Sequence, residues 1–335
     1  QSETYVDFFA HLIFKLFQDE GLVLIDSGHP DVRRLESSFF MEFIEKQPMI
    51  ASNVYASFQQ IKQLGYSVSL DVDINDAHIF YHNEKERILL ERDQNQNWIG
   101  KNNEVMLTTE ALLKIAEETP ELLSNNVVTR PLMQELLFPS LAFIGGDGEI
   151  SYWSVLKGAF HAMGIKMPPV LPRLSFSYVD RSLKKRMEKR SISCSNAIND
   201  GVEHLKMNWL ASHNQPPINV MVEQMKHSID QLHQPLREVA REIRTDLGEL
   251  AEKNLGYLYR DIDYLQDKIM KVLEEKYAND LKDFELIHHA LHPFGALQER
   301  TWNPIEWINE HGTTFINDLL KENCSFEEDH YVVYL

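Results

Sequence analysis

Residues 125–173 read NNVVTRPLMQELLFPSLAFIGGDGEISYWSVLKGAFHAMGIKMPPVLPR. Two apolar runs of strand character, Leu141–Ile144 and Val170–Leu174, bracket a helical pattern. The turn after the first run holds Gly145, Gly146 and Gly148, followed by Glu149. Strand, turn, helix and second strand make a βαβ unit, and strands that are apolar on both faces belong in a buried parallel sheet. The stretch therefore predicts an α/β fold. In detail, Thr129-Arg130-Pro131 opens a short helix that Pro139 ends. Glu149–Met163 is the crossover helix, and the second strand extends over Val170–Ser177.

Upstream, Leu22–Ile25 predicts another buried strand, followed by the polar turn Asp26-Ser27-Gly28-His29 and a helix opening at Pro30. Between about Ile50 and Glu121 the character changes. Val68, Leu70 and Val72 alternate with polar residues. Ile79–Tyr81 and Ile88–Leu90 flank Asn83-Glu84-Lys85-Glu86 as a hairpin, and Thr108-Thr109-Glu110 starts a helix. This predicts a small α+β insertion. The domain plan is a core segment at 1–48, the insertion at 49–124, a second core segment with a ligand site at 125–178, a helical arm at 179–288 and a return to the core at 289–335. The final run, Tyr331–Leu335, is a candidate last strand. Three parallel strands are too few for a complete doubly wound sheet. The chain also opens at Gln1 without Met, directly into an amphipathic pattern. Both features predict that it was cut from a longer protein.

From Tyr178 the composition turns helical. Asp180–Leu210 predicts one helix, broken at Pro216-Pro217. Ile218, Val222, Met225, Ile229, Leu232, Leu236, Val239 and Ile243 then follow steps of four and three, the coiled-coil period. Leu258, Ile262, Leu265, Ile269 and Val272 repeat it, with a stutter at Leu247, Leu250 and Asn254. Read as one helix to about Glu285, the segment is about 100 Å long. Its first partner is Asp180–Leu210, folded back antiparallel. That partner is too short, so the leftover stripe predicts a homodimer through the arm, or else burial against the body of the same chain.

The chain has 335 residues, 43% hydrophobic and 25% charged, with a formal charge of −18. That balance disfavours nucleic acid, which needs basic clusters. No apolar run is long enough to cross a bilayer, so no membrane partner is expected. Cys194 and Cys324 are far apart with no CxxC spacing, which predicts a reducing, cytoplasmic setting.

Candidate chemistry clusters at the predicted strand ends, where open α/β sheets bind ligands. Gly145, Gly146 and Gly148 sit before a helix N-terminus, as an anion site or a plain turn. Tyr152 and Trp153 stack on a ligand or pack in the core. Arg130 and Arg173 either grip carboxylates in a forked geometry or form structural ion pairs. Asp26, Ser27 and His29 supply a base or phosphate contact, or simply cap a helix. His288 and His292 have zinc-helix spacing without HExxH, and no metal site is assigned.

The words NNVVTRPLMQE, LFPSLAFIGG, GEISYW and MPPVLPR, with GLVLIDSGHP, DAHIFY, LLERD and LQERTWNP, resemble the bacillithiol biosynthesis cysteine-adding enzymes of low-GC Gram-positive bacteria. The resemblance covers essentially the whole chain, the helical arm mainly in pattern. Gly146-Asp147-Gly148-Glu149 departs from the family's Gly-Pro-Gly-Glu and adds negative charge to the proposed anion site. The resemblance implies a Rossmann-like core whose first half precedes Gln1, connective-peptide insertions and a coiled-coil dimer arm. It implies a ligase that adds L-cysteine to glucosaminyl malate in the last step of bacillithiol biosynthesis, with ATP activation. Arg130 and Arg173 would then meet the malate carboxylates, and Asn126, Tyr152 and Trp153 the sugar, with Glu149 beside them. Gly145, Gly146, Gly148, Asp26 and His29 would meet nucleotide or anion, and Arg300 and Trp302 a secondary nucleotide contact. The competing reading is a non-catalytic coiled-coil scaffold whose α/β body binds a partner.

Overall fold

The computed structural model describes residues 2–83, 86–213 and 217–335. In chain order the elements are α1 (Tyr5–Leu16), α2 (Pro30–Gln63), β1 (Asp76–His82), β2 (Arg87–Arg92), β3 (Trp98–Gly100), β4 (Met106–Leu107), α3 (Thr109–Glu118), β5 (Leu123–Asn125), α4 (Thr129–Leu137), β6 (Phe143–Gly145), α5 (Asp147–Trp153), α6 (Lys157–Ala162) and β7 (Val170–Pro172). There follow β8 (Phe176–Val179), α7 (Arg181–Arg190), α8 (Cys194–Asn199), α9 (Glu203–Ser212), α10 (Ile218–Ile243), α11 (Thr245–Lys276), α12 (Ala278–Leu291), α13 (Gln298–Thr301), α14 (Ile305–His311), α15 (Thr314–Leu319) and β9 (Tyr331–Tyr334). The chain divides into two compact units, Gln1–Leu174 with His311–Glu328, and Ser175–Glu310 with Asp329–Leu335. No helix among the described residues is long and apolar enough to cross a membrane.

In the first unit, α2 opens at Pro30, which needs no N–H partner in a first turn, with His29 Nδ1 accepting from Asp31 N at 3.2 Å. It continues through Pro48 to Gln63, so the boundary predicted at 48/49 falls inside a helix. Pro48 removes one helical hydrogen bond. Burial of Ile44, Ile50 and Ala51 on either side holds the helix together across it. Leu22–Ile25 is not a strand. It has no ladder partner among the described residues, and Val23 is 84% exposed. A four-residue apolar run has no period to separate a strand from extended coil. Val68–Val72 is likewise irregular.

Among the described residues, five strands form an antiparallel sheet in the order β4-β3-β2-β1-β5. The predicted hairpin is β1–β2, paired through Phe80 with Leu89 and Tyr81 with Ile88; Glu84 and Lys85 of its turn lie outside the described residues. Between Asp76 and Phe80 the register slips, and His78 takes φ +60° within that bulge. β6 and β7 form the predicted parallel pair, Phe143 beside Val170 and Ile144 beside Leu171. The crossover helix is split into α5 and α6.

The strand predicted over Val170–Ser177 is two strands belonging to different sheets. Pro172, which has no N–H to donate, ends β7. β8 instead pairs in parallel with β9, so the predicted C-terminal strand exists but joins β8 in the second unit, not the βαβ pair. The predicted helix Asp180–Leu210 is α7, α8 and α9, separated where Ser191 takes φ +53° and Gly201 φ +68°. The break predicted at Pro216-Pro217 falls partly on Pro216, outside the described residues.

The predicted 100 Å helix is instead an antiparallel hairpin of α10 and α11. Gln266 Nε2 donates to Asn219 Oδ1 at 2.9 Å, His233 Nε2 lies 3.1 Å from Asn254 Oδ1, and Arg241 Nη2 lies 3.1 Å from Glu252 Oε1. Arg244, at φ −167° and ψ 138°, is the single extended residue at the turn. The stutter read from the sequence is thus a reversal, and α10 pairs with α11 rather than with Asp180–Leu210. Leu232, Leu236, Ile243, Leu265 and Val272 remain exposed along the hairpin.

Below the hairpin, Asp283 of α12 is buried among cations. Arg186 Nη1 lies at 2.7 Å, Lys189 Nζ at 2.9 Å and Arg190 Nη2 at 2.8 Å. Burial alone would push this carboxyl up. Hydrogen bonds from Lys189, Arg190 and Arg186 more than offset it and bring the group down to about 2. Because the folded value lies below the unfolded one, the contribution is complete above the ordinary carboxylate value of about 4 and is lost as pH falls through about 2. Asp283→Asn should cost about 1–3 kcal/mol at neutral pH, because the anion shared by Arg186, Lys189 and Arg190 is lost while Arg190 keeps its pair with Asp280 at 2.6 Å. Urea unfolding between pH 7 and 2 should show the variant losing less stability than wild type over that acid window. Parallel losses would exclude Asp283 as the source.

Candidate functional site

The bulge in β1 and the start of α4 are joined at one backbone atom. His78 O accepts from Thr129 Oγ1 at 2.6 Å and from Asn126 N at 3.3 Å. Asn126 Oδ1 caps the following turn, accepting from Val128 N at 2.8 Å and Thr129 N at 3.2 Å. A side-chain acceptor here satisfies N–H groups that a helix start leaves free. With its oxygen so occupied, the Asn126 amide nitrogen faces His78 Nδ1 at 3.2 Å.

One turn later, Arg130 Nη2 donates to Tyr152 Oη at 2.7 Å and lies 3.8 Å from Glu149 Oε1. Arg130 lines two clefts. One, of about 460 Å³, is also lined by Asp71, Asp76, His78, Arg87, Lys101 and Asn126. The other, of about 360 Å³, is also lined by Ser27, Arg33, Glu36, Arg87, Asn125 and Gln134. Arg87 and Asn125 border both. Arg87 is itself braced, with its guanidinium 3.8 Å from the Phe80 ring centroid and its Nε donating to Ser124 Oγ at 3.1 Å.

His78 is 2% exposed, and burial holds its imidazole down at about 4, so the ring is neutral at physiological pH. In the second cleft, burial pushes the Glu36 carboxyl up, opposed by Arg33 at 2.6 Å. Burial first, and then repulsion from Arg87 and Arg33, lowers His82. Burial also raises Asp76, with Asp73 and Asp71 adding repulsion against its hydrogen bond from Asp73 N.

The residues singled out in the sequence separate into groups. Asn126, Arg130, Glu149 and Tyr152 come together. Trp153 does not reach the clefts. It is 2% exposed and stacks on Phe143 at 4.1 Å between ring centroids, as core. Arg173 lines neither cleft, and its backbone N–H donates to Gly145 O. Gly145 is packed closely, since a Cβ there would lie 2.9 Å from the Phe143 ring.

Gly146 N–H donates to Glu149 Oε2 at 3.1 Å, and Asp147 and Glu149 are both in the first turn of α5. The protein's own carboxylate thus takes the Gly146 N–H at the loop of Gly145, Gly146 and Gly148, where an anion would compete with it. Asp26 and His29 are bonded as a capping turn, Asp26 Oδ1 accepting from Gly28 N. In the second unit, Trp302 Nε1 donates to His289 O and its ring lines a separate cleft with Asp180, Arg186 and Trp307. Arg300 is exposed beside Glu299.

His78, Arg87 and Asn125 were not singled out, although His78 lies in the word DAHIFY and Asn125 in NNVVTRPLMQE. Tyr152→Phe should change stability by less than about 1 kcal/mol, because Arg130 is 59% exposed and can be rehydrated. Trp153→Ala should cost about 3–5 kcal/mol. Chemical denaturation of the two variants checks the division between a hydroxyl that only orients Arg130 and a ring that fills the core, and equal losses would refute it.

Comparison with known proteins divides the chain once, next to the Leu174/Ser175 boundary of the two units, with His311–Glu328 of the first unit falling in the second match. The family model described as bacillithiol biosynthesis BshC, N-terminal Rossmann-like domain, matches residues 1–174. The model described as bacillithiol biosynthesis BshC, C-terminal coiled-coil domain, matches residues 176–335. A curated relative from Oceanobacillus iheyensis, named "Putative cysteine ligase BshC", is 40% identical over 336 residues. Relatives of the same name from Bacillus cereus and Bacillus thuringiensis are 38% and 37% identical over 335 residues. Each alignment covers 100% of this chain and 62% of the relative, so the chain spans less than two thirds of the proteins it matches. With a Rossmann-like unit followed by a helical coiled-coil unit, both matched end to end, the chain belongs to the BshC family of bacillithiol biosynthesis proteins.

Proposed function

We propose that this chain works in a cysteine ligase that joins L-cysteine to glucosaminyl malate, acting in the cytoplasm as a homodimer. The observation that carries this reading is the match of both family domains over essentially the whole chain, with relatives named as cysteine ligases. Amide formation needs the cysteine carboxyl activated, with ATP as the natural donor, before the sugar amine attacks and the activating group leaves. At the α5 loop Glu149 accepts from Gly146 N, so a phosphate there would have to displace that carboxylate. The residues that support the reading are those around the larger cleft. Arg130 can turn from Glu149 to a malate carboxylate in a forked contact, held in direction by the Tyr152 hydroxyl behind it, and Asn126 supplies a polar edge for the sugar.

The homodimer rests on the exposed apolar positions of the hairpin. Leu236, Ile243 and Leu250, which line a groove with Val239 and Leu247, form a patch of the kind that marks association surfaces.

Two measurements test these points. In the longer natural protein, supplied with ATP, L-cysteine and glucosaminyl malate, amide product should form. Arg130→Ala should lower kcat/KM by about 10–100-fold, mainly through a higher KM for the sugar malate. Absence of product would refute the ligase reading. For assembly, Leu236→Glu with Ile243→Glu should convert a sedimenting dimer of this chain to monomer. A dimer that survives both changes has its interface elsewhere.

A further inference from the structure

Two buried polar atoms at the larger cleft lack hydrogen-bond partners, and they sit on neighbouring strands. They are His78 Nε2 and Asn125 Oδ1. Asn125 of β5 pairs with Ile79 of β1, next to His78, and both residues line the cleft, their unpaired atoms just beneath its surface. A buried polar group left unpaired costs about 1–3 kcal/mol, and most native proteins do not carry that cost without a use for it.

The tautomer of His78 follows from its surroundings. Asn126 Oδ1 is committed to Val128 N and Thr129 N, so the amide nitrogen is the atom that faces Nδ1. Nδ1 must therefore accept. The ring is neutral, because burial holds it at about 4, so its one proton is on Nε2. The backbone is arranged to deliver this ring. His78 has φ +60°, unusual for a residue with a side chain, at a bulge where the β1–β2 register slips. Its carbonyl is clamped by Thr129 and Asn126.

The chemistry of the ligand follows from what else lines the cleft. Arg87, Lys101 and Arg130 supply positive charge. Three carboxylates balance them: Asp73 accepts from Asn75 and Asp76 accepts from Asp73 N, both closing the turn that precedes β1, and Asp71 is the third. A neutral donor flanked by cations suits an oxyanion without the cost of a buried imidazolium. Asn125 Oδ1 asks the same ligand for a hydroxyl or ammonium donor.

We infer that His78 is a ligand-binding residue of this cleft, donating Nε2–H to the carboxylate of a small hydroxy or amino acid whose own hydroxyl or ammonium meets Asn125 Oδ1. The identity of that acid as L-cysteine or the malate moiety of glucosaminyl malate rests on the ligase reading. The hydrogen-bonding assignment does not.

The test is histidine side-chain 1H–15N spectroscopy of the whole chain, titrated separately with L-malate, L-cysteine and glucosaminyl malate. His78 should appear as the neutral Nε2–H tautomer between pH 6 and 8, taken as roughly the window where an unperturbed histidine would titrate. At least one probe should shift its Nε2 signal saturably. The probe that does so distinguishes the amino acid from the hydroxy acid. His78→Phe should weaken that binding by about tenfold or more, and His78→Gln, which can present an amide N–H, should recover most of it. An Nδ1–H tautomer overturns the inference, as does saturable binding that leaves Nε2 unmoved, or no binding by any probe. Turnover by the longer protein separates the two readings. Turnover unaffected by His78→Phe sinks the inference and leaves the ligase standing. A saturable malate shift without turnover sinks the ligase reading and leaves the inference standing.

Discussion

Burial of one face of α2 is the constraint on which the first unit is built. Phe40, Phe43, Ile44, Ile50, Ala51 and Val54 are each 2% exposed or less, and their spacing places them on one side of the helix. Gln47 lies within that stripe and is also buried, so its amide must find a partner. It donates to Asp76 O at 2.9 Å, the residue that opens β1. That bond sets the register of the sheet against the helix two residues before His78. The bulge then carries His78 inward. Its carbonyl holds Asn126 and Thr129, and the first turn of α4 brings Arg130 to Tyr152. Position passes from an apolar stripe to a guanidinium through a short series of obligatory hydrogen bonds.

Much of this fold was legible because it depends on period. The β1–β2 hairpin alternates, α3 and α4 show amphipathic spacing, and the parallel pair β6–β7 is announced by apolar runs around a helical pattern. What was not legible depends on competition between local and distant terms. The change of character near Ile50 reads as a segment boundary, but α2 runs on through Pro48 because apolar burial on both sides outweighs one lost hydrogen bond. Leu22–Ile25 reads as a buried strand, but an apolar run does not carry its own ladder partner. At Arg244 the difficulty is of another kind. The apolar stripes of two helices that fold against each other continue the same spacing, and the turn needs a single extended residue, with neither Gly nor Pro to mark it.

The site divides in the same way. Arg130, Asn126 and Tyr152 are polar or aromatic residues at a predicted strand edge, and sequence reasoning could reach them. Tyr152 and Trp153 are adjacent on α5, and which one meets Arg130 depends on helix phase against a core not yet known. Trp153 stacks on Phe143, which leaves Tyr152 for Arg130. His78 was hidden for a stronger reason. Its role rests on one backbone angle, a register slip and a tautomer fixed by a residue 48 positions away. None of these has a signature in the order of residues along β1.

Charge explains why the arginine outranks the glycines. A chain with a formal charge of −18 does not gather anions by its overall field. Binding must come from local cations that are held in place but not used up. The α5 N-terminus fails this condition, because Glu149 already accepts from Gly146 N. Arg130 meets it. The Tyr152 hydroxyl fixes its direction, while its ion pair with Glu149 is long, at 3.8 Å, and more than a third exposed on both sides. Pairs of that kind contribute little, commonly about 0–1 kcal/mol, so a ligand carboxylate in a better forked geometry can replace Glu149 at small cost. The carboxylate that accepts from Gly146 N is therefore also the weak partner that leaves Arg130, oriented by Tyr152, free to exchange.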